Sequence, residues 1–204
     1  MSGKNLSNHP SKPWDAKLAA WLIRPLIDSP VHPNVLTTIR LLVGLAGAWM
    51  FAMGEHFNTA ALLVVTSNFL DHTDGELARY SGKMSVFGHR YDLASDALVT
   101  VGMFVGIGIG LSTLLGPASM WMGVAAGVAV AGIFHLRNQL ENAQGKSATK
   151  QPMLMGFEAE DILYLIPLVT LSDQLPLFLK AASIGAPIAL VIVFFDYRAR
   201  FKTS

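Results

Sequence analysis

The sequence predicts an all-α polytopic membrane protein, with six transmembrane helices and one amphipathic juxtamembrane helix ahead of them. Three observations carry that expectation. Hydrophobic residues make up 52% of the 204 and charged residues only 14%, at a mean hydropathy of +0.44. Soluble domains average about 25% charged, so this chain has more apolar surface than a soluble core of its size hides. The apolar residues fall in runs of membrane-spanning length, and the basic residues gather on one side of the path those runs trace.

Taken in order, Met1 to Ser11 is polar and the next stretch holds Asp15, Lys17 and Arg24, which is not a signal-peptide pattern. Trp14 to Asp28 reads as amphipathic and is expected to lie along the membrane surface, with Trp14 and Trp21 at headgroup level. The first span runs from about Asn34 to Met53, opened by Pro33 and interrupted by Arg40. The second starts near Asn58. Its uncharged run ends at Leu70, too short for a core of ~30 Å at ~1.5 Å per residue. The helix must therefore continue through Asp71 and Asp74 toward Tyr80. The third is expected over Met84 to Leu114, with acids at its start, and the fourth over Pro117 to Leu136. The fifth has a short apolar core, Ile162 to Leu171, and the sixth covers Leu179 to Tyr197. One domain accounts for 1–204, with residues 1–32 as tail and interfacial helix and 33–200 as the membrane core.

Of the 15 basic residues, all but Arg40 and Lys180 fall on one face of this layout. The positive-inside rule puts that face, both termini and the acid-rich connection between the second and third spans in the cytoplasm, so the expected location is the inner membrane. A net charge of +1 makes no case for nucleic acid as a partner, and the absence of cysteine excludes disulfides and thiolate metal sites.

Nine acids sit in or beside this apolar sequence from Asp71 to Asp161. Charge in a bilayer is costly, so an intramembrane ionisable residue is a functional-site hypothesis by default. Counting from Asp71, the residues Asp74, Gly75, Ala78 and Arg79 lie at i+3, i+4, i+7 and i+8, on one helical face, and Glu76 points away from it. On the next helix Gly88, Asp92 and Asp96 repeat every fourth residue, beside Tyr91 and Ser95. Where the two faces meet, four carboxylates converge. Two bare carboxylates ~4 Å apart repel by ~4 kcal/mol at an effective dielectric near ~20, and divalent cations reverse that sign. All-oxygen ligation suits Mg²⁺, Mn²⁺ or Ca²⁺ better than zinc or copper. Gly75, Ala78 and Gly88 permit close approach of a ligand, and Arg79 offers a fork that matches phosphate. Together these features point to a nucleotide diphosphate.

The pattern Asp71-x2-Asp74-Gly75-x2-Ala78-Arg79-x8-Gly88-x3-Asp92-x3-Asp96 resembles the signature of the CDP-alcohol phosphotransferase family at all eight fixed positions, over 26 residues. Pro33-Asn34-Val35-Leu36-Thr37-Thr38-Ile39-Arg40 is similar to the segment that opens the first membrane helix of that family. The resemblance implies a metal-dependent transferase that uses Mg²⁺ or Mn²⁺, with two ions. Asp71, Asp74, Asp92 and Asp96 would be metal ligands, and Asp96 also the general base. Asp74, Gly75, Ala78, Arg79 and Gly88 would hold the CDP moiety. The expected reaction moves a phosphatidyl-type group from CDP-diacylglycerol to a small polar alcohol and releases CMP. The alternative within the family moves a CDP-linked headgroup to a lipid hydroxyl. The resemblance also implies a homodimer.

The plain reading of the acids is a solvated helix–loop–helix, which fails because the second span is too short without them. A divalent cation transporter is the rival function; transporter sites lie near the midplane between broken helices, whereas these acids cluster at one edge. Glu158, Glu160 and Asp161 either line an acceptor pocket or cap the fifth helix through its dipole. If they face the site they favour a neutral or amine-bearing alcohol. His72 and His89 are expected to be hydrogen-bonding neighbours of the motif rather than zinc ligands. His135, Arg137 and Asn138 end the fourth span on the acid side, as headgroup contacts or interfacial anchors. Arg40 is expected to snorkel or to pair with an acid, with phosphate contact as a third option. Gly102, Gly106 and Gly110 form a small-residue ladder for internal packing or for a dimer interface.

Overall fold

The computed structural model describes residues 14–144 and 163–202, and among them the chain is helical with no strand. The helices are α1 (Trp14–Leu22), α2 (Pro33–Met53), α3 (Phe57–Ser81), α4 (Val86–Gly110), α5 (Ser112–Leu115), α6 (Ala118–Gln144), α7 (Ile166–Leu171) and α8 (Leu175–Lys202), with 3-10 turns at Arg24–Leu26 and over 163–165.

Local chemistry explains the breaks. Proline at position 33 needs no N–H partner in the first turn of α2, and the His32 ring nitrogen Nδ1 accepts from the Asn34 amide at 3.2 Å. The turns after α2 and α3 need a left-handed residue, and Gly54 (φ +77°) and Gly82 (φ +70°) supply it. Ser85 caps α4, accepting from the Gly88 amide at 2.9 Å.

Among the described residues, four helices are long and apolar enough to cross a membrane: α2, α4, α6 and α8. At 25 residues α3 measures about 37 Å, enough to cross, but its acid-bearing second half lowers its hydropathy. The continuation of this helix past Leu70 to Ser81 is as expected. The third expected span ends sooner than Leu114, because the chain breaks after Gly110 and restarts as the short α5. The fourth runs further, to Gln144. Of the fifth, the described residues show a six-residue helix that begins at Ile166, beside Pro167. A helix does occupy Trp14–Leu22 and packs on α3, burying Ala19. Trp21 is exposed, and the side chain of Trp14 lies outside the described residues.

The core is built where α2, α3, α4 and the start of α8 meet. Phe51, Ala60, Val64, Met103, Phe104, Ile107, Leu175 and Leu179 are buried together, and Phe104 stacks on Phe178 at 5.8 Å. Glycine permits the closest approaches. A methyl group on Gly106 would overlap the Ala48 carbonyl, and one on Gly110 would overlap the Phe51 carbonyl. The ladder therefore serves internal packing of α4 on α2. Gly108, Gly123 and Gly127 play the same part between α4 and α6. Large apolar side chains remain exposed along α8, among them Ile184, Ile188, Ile192 and Phe195, as for a helix with lipid as solvent.

Because Gly106 meets backbone, Gly106→Ala is expected to destabilise by ~1–3 kcal/mol. Gly185, with nothing within 4 Å of its added Cβ, is the control, and Gly185→Ala should be neutral or stabilise by up to ~1 kcal/mol. Thermal unfolding in detergent measures both; equal Tm values for Gly106→Ala and the parent would refute the packing account.

Candidate active site

Three helices carry the site. The acid face of α3 and the acid face of α4 both turn to α2, and Arg40 stands between them. Its Nε donates to Asp74 Oδ2 at 3.1 Å and its Nη1 to Asp96 Oδ1 at 2.6 Å. Nη2 donates to Asp92 Oδ1 at 2.5 Å and to the Asp92 carbonyl at 3.1 Å, and lies 3.0 Å from Asp71 Oδ1. All four motif aspartates thus meet one guanidinium. Snorkelling is excluded, since Arg40 is only 2% exposed. The expected pairing with an acid is realised four times over.

The cluster has a closed side and an open side. Asp74 is 4% exposed, whereas Asp71, Asp92 and Asp96 are 28%, 32% and 37% exposed. Arg40 offsets one of four negative charges, so the cluster attracts further cations. Asp71, Asp74 and Asp92 each offer an oxygen within 4.8 Å of the others. Three hard carboxylate oxygens at that spacing fit a divalent ion of the Mg²⁺ or Mn²⁺ type. Asp96 joins this set through Arg40 rather than as a member of the triad. That triad includes neither His72 nor His89.

The remaining motif positions lie on the same two helices, α3 and α4. Arg79, about half exposed, lies over Gly75, with its guanidinium 3.6–3.9 Å from where a Gly75 Cβ would sit. Its Nη2 donates to Glu76 Oε1 at 2.7 Å, and Glu76 is buried. Glu76 is absent from the acids that pair with Arg40, and this bond tethers Arg79. Ala78 is half-buried. A Cβ on Gly88 would crowd Asn34 Oδ1 and Ser85 Oγ, both at 3.0 Å. One turn on, the Tyr91 hydroxyl shares a hydrogen bond with Thr38 Oγ1 at 3.0 Å, which joins α4 to α2 at the rim. Ser95 turns back to its own helix, donating to the Tyr91 carbonyl at 2.8 Å.

A second polar group lies on α6 and α8. Gly123 packs on Phe104 and Gly127 on Val101, so α6 runs antiparallel to α4. The His135 and Gln139 side chains hydrogen-bond at 2.7 Å, and the Tyr197 hydroxyl donates to Gln139 Oε1 at 2.7 Å. Asn138 accepts from Asn142 at 2.9 Å. Glu158, Glu160 and Asp161 lie outside the described residues.

Sequence reasoning missed Glu76, Asn34, Thr38 and the full part of Arg40. The available signal for Arg40 was its position two turns into an apolar span, where an unpaired charge is untenable.

The family model for CDP-alcohol phosphatidyltransferase matches residues 30–195, so the chain belongs to that family. It is 32% identical over 100 residues to an archaetidylinositol phosphate synthase of Pyrococcus horikoshii, covering 43% of this chain and 53% of that protein. It is 30% identical over 95 residues to a bifunctional IPC transferase and DIPP synthase of Rubrobacter xylanophilus, covering 45% of this chain and 22% of that one. The match thus spans about half the first relative and under a quarter of the second. The fold is similar to that of the Mycobacterium tuberculosis phosphatidylinositol phosphate synthase PgsA1, crystallised with CDP-DAG bound, at a TM-score of 0.63 and 20% identity over 92% of this chain and 93% of that one.

The triad carries a binding prediction. Asp74→Asn and Asp92→Asn should each weaken Mn²⁺ binding at least about tenfold, by loss of ligand charge. His72→Gln and His89→Gln should leave it unchanged. Isothermal titration calorimetry decides, and equal losses in all four variants would show that the ion is held elsewhere.

Proposed function

We propose that this member of the CDP-alcohol phosphatidyltransferase family moves a phosphatidyl-type group from CDP-diacylglycerol to a small polar alcohol and releases CMP. The observation that carries the reading is the convergence of Asp71, Asp74, Asp92 and Asp96 on one face that is open on its outer side. The donor is supported by the motif positions on α3 and α4 and by the CDP-DAG found in the similarly folded PgsA1.

Each residue then has a task. Arg79, tethered by Glu76, pairs with the diphosphate of the donor, and Gly75, Ala78 and Gly88 leave room for the cytidylyl part. Asp71, Asp74 and Asp92 would hold a divalent ion, with Asp96 sharing a second, and Mg²⁺ or Mn²⁺ there would neutralise charge on the diphosphate and the departing CMP. Asp96 spends Oδ1 on Arg40 and has its other oxygen for the acceptor hydroxyl. The hydroxyl oxygen forms a bond to the lipid-bearing phosphorus, its proton passes to Asp96, and the bond from that phosphorus to the CMP oxygen breaks. The acceptor enters beside His135, Gln139 and Tyr197, a hydrogen-bonded chain on α6 and α8 that supplies donors and acceptors for hydroxyls.

The topology follows the same reading. With α3 and the segment that ends in α7, the four apolar helices make six spans in a single domain, with α1 at the membrane surface. The basic residues place both termini and the site in the cytoplasm. A homodimer would form through a face other than the Gly102–Gly110 ladder, which is used within the protomer.

Purified protein with Mg²⁺, offered CDP-diacylglycerol or CDP-headgroups against neutral polyols, amino alcohols, inositol phosphate and lipid alcohols, tests this directly. CMP release with CDP-diacylglycerol and one water-soluble alcohol is the expected result; release only from a CDP-headgroup with a lipid alcohol would reverse the partners, and metal flux into liposomes without CMP would end the transferase reading. Asp96→Asn should lower kcat by ~10²–10⁴-fold with CDP binding kept. Arg79→Ala should weaken donor binding about tenfold or more, and Glu76→Gln should do so to a smaller degree, as hydrogen bonds to charged groups are worth ~1.5–3 kcal/mol. Unchanged donor affinity in Arg79→Ala would remove that residue from the phosphate site.

A further inference from the structure

Arg40 belongs to neither the acid motif nor the donor-binding positions, yet it is the largest fully buried side chain among the described residues. One carboxylate would neutralise it. It has four, and each gives a single oxygen: Oδ1 of Asp71, Oδ2 of Asp74, Oδ1 of Asp92 and Oδ1 of Asp96. Two of these acids stand on α3 and two on α4, so one side chain from α2 draws both helices to a point. Its own position is built in. Ser67 of α3 donates to the Arg40 carbonyl at 2.7 Å, and Gly44, one turn further along α2, lies against Ser67 and Val99 with no room for a Cβ. The guanidinium is therefore seated by packing as well as by charge.

We propose that Arg40 is a positioning residue, the resident counter-ion of the metal site, which keeps the four carboxylates converged when no divalent cation is bound. The proposal rests on the reading that these acids hold such a cation. With Arg40 in place the four acids carry a formal −3, and without it −4. A divalent ion and the guanidinium thus do the same work against the same repulsion, and their contributions overlap. Removal of the arginine should transfer that work to the metal. A ligand that binds only the folded state stabilises it, so the overlap is readable as stability without any turnover. An arginine that merely fills space would instead matter equally with and without metal.

The test is the Tm of EDTA-stripped protein in detergent, titrated with MnCl₂, for the parent, Arg40→Gln and Arg40→Lys. The expected result is a large Tm deficit for Arg40→Gln without metal that shrinks to about half or less at saturating Mn²⁺. Arg40→Lys, which keeps the charge and loses the fork, should show a smaller metal-free deficit than Arg40→Gln. A deficit that stays constant or widens as Mn²⁺ is added overturns the proposal. If Mn²⁺ shifts the parent not at all, the metal reading itself fails, and that outcome is distinct. Should Arg40→Gln yield no folded protein, Arg40→Gln with Asp92→Asn removes one of the repelling charges. Recovery of a metal-free folded state is then expected, and failure to recover in that pair counts against the counter-ion role.

Discussion

Four carboxylates held by one buried guanidinium are the constraint on which this molecule is built. A charge of either sign is costly to bury, and the two signs are tolerable here only together. Arg40 and Asp74 form the closed floor, and Asp71, Asp92 and Asp96 rise from it toward the open side. The excess of negative charge sets the floor apart from a plain salt bridge and leaves three acids that could hold a metal ion. Function follows from incomplete neutralisation.

The helices are arranged to make that meeting possible. For acids on α3 and α4 to reach a side chain on α2, the three backbones must run close together, and Gly44, Gly106 and Gly110 provide the clearance. Apolar packing around Phe51, Met103 and Ile107 fixes the half remote from the site, while the site half is held by polar contacts: Lys83 to the carbonyls of Ser29 and Val31, Thr38 to Tyr91, and Arg79 to Glu76. A rigid apolar end and a polar, partly open end suit a reaction between a lipid and a water-soluble partner.

Much of this was legible in the sequence because it is local. Helix existence shows in apolar runs, α3 had to continue past Leu70 on length alone, and the acid face of each helix follows from spacing of three and four residues. What was not legible depends on pairings between distant residues. Arg40 meets Asp74, Asp92 and Asp96 across 34, 52 and 56 positions, and no periodicity announces such partners. The glycine ladder was visible as a pattern, but its partner on α2 was not. The tether of Glu76 to Arg79 needed the rotamers as well as the spacing. The break after Gly110, ahead of the expected Leu114, reflects a turn within an apolar run, where hydropathy gives no boundary.

The most direct measurement is anomalous diffraction from crystals of the protein soaked in MnCl₂. The account predicts manganese peaks among the carboxylates of Asp71, Asp74 and Asp92, with Asp96 beside them and Arg40 still seated on α2. Manganese bound elsewhere, with these four side chains turned to separate surroundings, would contradict it.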